Sequence, residues 1–421
     1  MPKPQTASRR RVLYLSTRPC WPVTSGAHLR DFHLARQLSL NYELLYLAFD
    51  NGSGTGAAGR SPRLPELNDS RVVLVPRGKG YGALQLLRGA LGSTPISVLN
   101  YTTNDMRQAL RGILQAESFD FVQVEGVHLY AYLPLIRTLA PKATTLMDWH
   151  NVESELMDRY ADNIGSIARR WYARRTARQL YNCEQRLLLE CRAHTVCSER
   201  EQAQLLKRAP GAAVEVITNG VDVDFFAAMP TGAASSTPVS TTDNARRSIA
   251  FVGSMSYHAN VDAACYFVEA IWPTIRERRP ELEFRIVGSN PTAQVQALRN
   301  QPGVVVTGTV DDVRPYYRDA LAVVVPLRVG GGTRLKVLEA MAAGTPVIST
   351  SLGAEGLDVT HGSNILLADD AAAIADAVVN MQVHDERWQQ LVENGRRLVA
   401  ASYDWSSIGQ KLRSFYSRVG G

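Results

Sequence analysis

The sequence predicts an α/β protein made of two doubly wound domains, each with a parallel sheet. Three observations carry this. At 421 residues the chain is too long for one ordinary domain and suits two of about 200 residues each. Short valine-rich apolar runs alternate with longer helical patterns in both halves, the order that yields βαβ units and a parallel sheet. A stretch rich in Ala, Ser, Thr and Pro, residues 228–247, separates the two series as a linker or surface insertion. The apolar fraction of 45% is enough for two conventional cores.

In the first half, residues 12–16 read as a strand, followed by a loop containing Pro19, Pro22 and Gly26 and a helix over 27–40. Further strands are expected at 43–49, 72–75, 119–124 and 144–149. A long helical region rich in Arg, Leu and Glu is expected over 152–191, and strands at 195–197 and 214–217 close this half. The second series has strands at 249–252, 283–287, 304–306, 321–325 and 346–349. Helices over 371–382 and 385–400 follow residues 365–367, and 405–416 reads as a terminal helix. The expected divisions are therefore 1–227, the linker 228–247, a second domain 248–400 and a tail 401–421.

Composition excludes several classes. No run approaches 18 consecutive apolar residues, so no transmembrane helix is expected. Arg9, Arg10 and Arg11 precede only a short apolar run, unlike a secretory signal. Cys20, Cys183, Cys191, Cys197 and Cys265 are scattered without metal-ligand spacing and read as reduced cytoplasmic thiols. Of the net charge of +6, part is concentrated at Arg169, Arg170, Arg174, Arg175 and Arg178 around Trp171 and Tyr172. Such a helix suits either solvent or an anionic membrane surface. No nucleic-acid motif is present, so no nucleic-acid partner is expected. Gly54, Gly56 and Gly59 match GxGxxG, but Pro62 and Pro65 follow where a dinucleotide site needs a helix, so this reads as a loop.

The densest chemistry lies at residues 326–357. A valine-rich strand ends there in Gly330, Gly331 and Gly332, which let a backbone approach a ligand closely. Thr333 is a candidate N-cap for a helix to about Ala343, with Gly344 stopping it. Arg334 and Lys336 then fall in the first helical turn, where they oppose the helix dipole at roughly 0.3–1 kcal/mol each. An anion bound at the helix N-terminus would explain that placement. Glu339, one turn on among apolar residues, needs a donor, and a ribose diol offers two hydroxyls.

This segment resembles the donor-site signature of the retaining glycosyltransferases of family 4, in the bacterial sugar-transferase branch that carries Gly-Gly-Gly-Thr-Arg-Leu-Lys. The resemblance implies the GT-B fold, two Rossmann-like domains facing a central cleft. In that fold the first domain takes the acceptor, the second binds the nucleotide sugar, and the terminal helix crosses back to the first domain. The family has two glutamates seven residues apart in this segment; Glu339 is the second, and Gly331 stands in place of the first.

Other segments share the resemblance. The strand end at Gly253 and Ser254 matches a phosphate-facing turn, although relatives place an arginine and a lysine near Ser254 and His258. Asn260 or Asp262 can start the following helix. Gly26 matches the N-terminal glycine loop, and Asn219-Gly220-Val221-Asp222 the turn between domains. Glu125 falls where many relatives place a histidine near the reacting sugar carbon, with His128 three residues on. His150-Asn151-Val152-Glu153 resembles the His-Asn-Val-Glu segment of this branch; Asn151 is a candidate cap for the following helix.

The implied reaction is metal-independent transfer of a sugar from a nucleotide diphosphate sugar to a hydroxyl acceptor with retention, with no cofactor. Glu125, His150 and Lys336 are the candidate catalytic residues. Gly253, Ser254, Gly330, Gly331, Gly332, Thr333, Arg334, Lys336 and Glu339 would bind the donor, and Gly26, His128 and Asn151 would lie on the acceptor side. A saccharide or polyprenyl-linked acceptor fits the resemblance, as does a place in the cytoplasm or on the inner membrane face. A sugar-nucleotide epimerase of the same fold and an inactive nucleotide-sugar-binding subunit are the competing readings.

Overall fold

The computed structural model describes residues 9–21, 26–50, 63–77, 88–89, 91–162, 165–228, 246–330 and 333–421. The chain divides into two compact units, Met1–Thr218 with Ile408–Gly421, and Asn219–Ser407. The glycines of the 54–59 stretch, most of the 228–247 linker, and Gly331 and Gly332 lie outside the described residues.

Among the described residues the first unit has eight strands: β1 Arg11–Ser16, β2 Glu43–Asp50, β3 Arg63–Leu64, β4 Ser70–Pro76, β5 Phe121–Glu125, β6 Thr144–Trp149, β7 Ala193–Val196 and β8 Ala213–Val216. Their order is β3-β4-β2-β1-β5-β6-β7-β8, parallel except for β3 against β4. β1 pairs with both β2 and β5, so the winding reverses there. Every residue of β5 is buried, as expected of a strand covered on both faces. The core joins Leu13, Leu15, Leu47, Val122, Val124 and Trp149, each worth about 1.5–3 kcal/mol when fully buried.

The long helical region expected over 152–191 is two helices, Glu153–Asp162 and Ile167–Glu190. Gly165 and an extended Ser166 at the second N-cap interrupt it. The last helix is Trp405–Val419, whose residues from Ile408 onward belong to the first unit. Its Tyr416 is fully buried against Phe121, with ring centroids 4.9 Å apart.

Among its described residues the second unit has six parallel strands: β9 Ser248–Val252, β10 Glu283–Val287, β11 Val304–Gly308, β12 Ala320–Val325, β13 Val347–Ser349 and β14 Leu366–Leu367. They are ordered β11-β10-β9-β12-β13-β14, so the reversal lies between β9 and β12. All six residues of β12 are buried. Phe267 and Phe284 pack at 4.2 Å between centroids in the core. No helix among the described residues is long and apolar enough to cross a membrane.

Candidate functional site

In a doubly wound sheet, ligands sit outside the carboxyl ends of the strands where the order reverses. In the second unit that point is flanked by Gly253 after β9 and Gly330 after β12. The helix that follows is Leu335–Ala343, one residue later than Thr333 as its cap would require: Arg334 holds the N-cap position without a side-chain capping bond. Thr333 instead accepts a 2.6 Å hydrogen bond from Asn219 Nδ2. Arg334 is therefore not in the first turn. It is 5% exposed, and its guanidinium donates to the Leu352 carbonyl at 3.1 Å and faces Glu355 at 3.5 Å.

Lys336 is in the first turn. Its ammonium donates to Asn260 Oδ1 at 2.6 Å and stands 4.3 Å from the Phe251 ring centroid. Burial drives its pKa down to about 7, with Glu339 opposing and Arg334 adding to the drop. The helix expected to start at Asn260 or Asp262 begins at His258, so Asn260 lies in its first turn. Its side chain donates to the Ser254 carbonyl at 2.9 Å and orients Lys336. A Cβ at Gly253 would come within 2.7 Å of Asn260 Nδ2 and 3.0 Å of Lys336 Nζ, so only glycine permits this approach. The Ser254 hydroxyl meets Ser256, 3.0 Å away. Glu339 accepts from the Tyr317 hydroxyl at 2.6 Å, and burial raises its pKa against the pull of Tyr317 and Lys336.

The first unit holds a second polar group at the carboxyl ends of its strands. Glu125 on β5 is in register with Asp148 on β6, and Asp148 with Thr195 on β7, which puts the three side chains on one face. His150 follows β6, and its Nε2 lies 3.0 Å from Glu125 Oε2, 3.0 Å from Asp31 Oδ1 and 3.7 Å from Asp148 Oδ2. The hydrogen bond goes to Glu125; Asp31 Oδ1 is an ion-pair neighbour without a bond of its own. Asp31 and Arg30 come from helix Gly26–Ser39, and Arg30 clasps Asp148 with bonds of 2.8 and 2.6 Å. Gln123 bridges Glu125 to Tyr416: its amide donates to Glu125 at 2.5 Å, and its carbonyl accepts from the Tyr416 hydroxyl.

Burial opposes the His150 charge, but Asp31, Glu125 and Asp148 outweigh it and raise the pKa to about 10. Burial and the charge of Asp148 push Glu125 up to about 7. Burial would also raise Asp148, but Arg30 holds it down at about 2. Of these groups only His150 reaches the surface, with 16% of its side chain exposed against 0–1% for the carboxylates. At neutral pH it is a fixed cation that takes no further proton. Asp31, Glu125 and His150 also offer three ligand atoms within 4.8 Å of one another. A metal held there would take Nε2 in its deprotonated form, in place of the contact with Glu125.

The remaining acceptor-side residues scatter. Gly26 opens the helix that carries Arg30 and Asp31, and residues 22–25 lie outside the described residues. His128 lies in the short helix Val127–Tyr132, its ring centroid 5.6 Å from that of Tyr101, and burial lowers its pKa to about 4. Asn151 bonds the Glu153 carboxylate. A cavity of about 260 Å³ lies at the opposite, amino ends of β1, β2 and β4 and is lined by none of these residues.

Sequence reasoning missed Arg30, Asp31 and Asp148 and read Asn260 only as a helix start. Signals for Arg30 and Asp148 existed. Arg30 shares a helix face with Leu34 and Leu38, and Asp148 sits between Met147 and Trp149 in an apolar strand.

Residues 246–382 match the family model described as Glycosyl transferases group 1. Phosphatidyl-myo-inositol mannosyltransferase of Mycobacterium leprae is 29% identical over 220 residues, 50% of this chain and 55% of that one. The GDP-mannose-dependent alpha-(1-6)-phosphatidylinositol monomannoside mannosyltransferase of Mycobacterium tuberculosis is 30% identical over 158 residues, 34% of this chain and 41% of that one. The chain thus spans about half the length of these curated relatives. Among solved structures, sucrose-phosphate synthase from Thermosynechococcus elongatus superposes with a TM-score of 0.68 at 18% identity, covering 98% of this chain and 99% of that one. Anabaena Alr3699/HepE in complex with UDP and glucose superposes with a TM-score of 0.62 at 14% identity, covering 97% and 100%. The fold is that of the GT-B proteins: two Rossmann-like α/β domains with parallel sheets.

Proposed function

We propose that the chain is a retaining, metal-independent glycosyltransferase moving a sugar from a nucleotide diphosphate sugar to a hydroxyl on a lipid-linked or polysaccharide precursor. The observation that carries this reading is Lys336, a desolvated ammonium at the switch point of a doubly wound sheet, with no ion pair among the described residues. A pyrophosphate supplies the missing negative charge. Lys336 and the free N–H groups of helix Leu335–Ala343 would take up the charge that develops on the leaving nucleoside diphosphate. Gly253, Ser254, Gly330 and Thr333 would line its phosphates. Arg334, tied to carbonyls, would hold the loop in shape. Glu339 would exchange Tyr317 for the ribose hydroxyls.

In the first unit, a fixed imidazolium favours an electron-rich oxygen and disfavours a developing positive charge. His150 is therefore assigned to an acceptor or phosphate oxygen. Glu125, behind it, holds the ring and balances its charge. Gly26, His128 and Asn151 would frame the acceptor.

A lipid acceptor draws support from the phosphatidylinositol in the names of the mannosyltransferase relatives. The surface of helix Ile167–Glu190 adds to it. Ile167 and Trp171 are 83% and 62% exposed on a helix that also exposes Arg169 and Arg178, a composition that suits an anionic bilayer. Arg174 and Arg175 contribute less, being tied to Asp158, Asp162 and the Gly92 carbonyl.

The test is calorimetry with UDP, GDP and ADP, followed by transfer assays with the matching sugar nucleotides. Binding of one diphosphate, weakened by Lys336→Ala and by Glu339→Ala in folded protein, is the expected result. Failure of all three to bind at millimolar concentration sinks the reading. Donor turnover without acceptor would identify an epimerase instead.

A further inference from the structure

We propose that Arg30 is a positioning residue that locks the end of the first unit's chain, Ile217 and Thr218, to the carboxylate standing behind His150. Arg30 is 1% exposed. One edge of its guanidinium makes the two bonds to Asp148, and Nη1 donates to the Ile217 carbonyl at 2.8 Å and reaches the Thr218 carbonyl at 3.5 Å. Asp148 also accepts from the Thr195 hydroxyl, and the Ile217 N–H donates to the Val196 carbonyl at 2.8 Å, so β6, β7 and the departing chain share one bonded cluster. A planar fork with five donors serves a carboxylate and a carbonyl together; an ammonium has no such geometry.

The next residue, Asn219, begins the second unit and there donates to Thr333, three residues before Lys336. The chain crossing is thus held on each side, within its own unit, by a side chain from that unit's candidate site. One guanidinium thus holds both the departing chain and a carboxylate 3.7 Å from His150. If Arg30 only neutralised Asp148, a lysine would serve as well and the crossing would be indifferent to the change.

The experiment uses the full chain with Arg30→Lys, Asn219→Ala and both together. Hydrogen exchange at the Ile217 amide should speed about tenfold or more in Arg30→Lys, while helix Asn104–Ala116 is unchanged. In the transfer assay, kcat should fall about tenfold with donor KM within about threefold, and the double variant should be no worse than the poorer single one. Unchanged exchange at Ile217, or losses that simply multiply, overturns the proposal. If Arg30→Lys does not fold, Arg30→Gln combined with Asp148→Asn removes both charges together, and the same exchange is read there. The kinetic arm rests on the glycosyltransferase reading. The exchange arm does not, so a wild-type chain with no transfer activity fails that reading while Arg30 is still decided.

Discussion

Lys336 and His150 depart from their ordinary acidities in opposite directions, and each departure is measurable. Lys336 is half neutral near pH 7 because it is buried. A bound diphosphate favours the ammonium, so binding takes up a proton above pH 7 and affinity falls as pH rises, by at most about tenfold per unit. Calorimetry in buffers of different ionisation heat reads that uptake, and Lys336→Met should abolish it. His150 has a folded-state pKa raised from 6.5 to about 10, so its contribution to stability is complete below pH 6.5 and lost as pH rises through 10. His150→Gln should remove that alkaline slope. It also leaves Asp31 and Glu125 facing each other, a loss of about 3–5 kcal/mol in urea denaturation. Asp148 acts at the other end. Its pKa is depressed from 3.8 to about 2, so roughly 2 kcal/mol is present above pH 3.8 and disappears as pH falls through 2.

Two elements depend on single residues. Helix Leu335–Ala343 ends at Gly344, whose φ is +77° and where a Cβ would come within 2.1 Å of Arg396 Nη2. Gly344→Ala should cost more than about 1 kcal/mol in chemical denaturation, because both the left-handed backbone and the Arg396 contact must give. The terminal helix Trp405–Val419 is anchored by Tyr416, whose hydroxyl bonds Gln123 and through it Glu125. Tyr416→Phe leaves a buried amide oxygen without its donor and should cost about 1–3 kcal/mol. Tyr416→Ala should cost about 3–5 kcal/mol by emptying the space against Phe121. These elements were unequally legible in the sequence. Gly344 after an apolar helical pattern is a local stop signal. The break between Glu153–Asp162 and Ile167–Glu190 was missed because one glycine within a charged helical pattern is a weak signal.

At the scale of the molecule, a ligand that binds one unit stabilises that unit by mass action. A nucleoside diphosphate at about 100 times its Kd should add about 2.7 kcal/mol to the unfolding of the second unit. Differential scanning calorimetry of the whole chain checks this, and Lys336→Met should suppress the shift. The membrane contact proposed for the first unit would use Ile167, Trp171 and nearby arginines. Replacing Trp171 by Ala should weaken sedimentation with anionic vesicles and leave neutral vesicles unaffected.

The sequence alone determined the alternation of strands and helices, the two sheets and the apolar helix that carries Lys336. Those features follow from hydrophobic periodicity and turn chemistry, which act over a few residues. Only the tertiary structure decided which groups surround His150. Arg30 and Asp148 are 118 positions apart, and Asp31 and Glu125 meet only because a helix docks beside strands in one register. Their acidities follow from burial and mutual distance, quantities that no local pattern of residues contains.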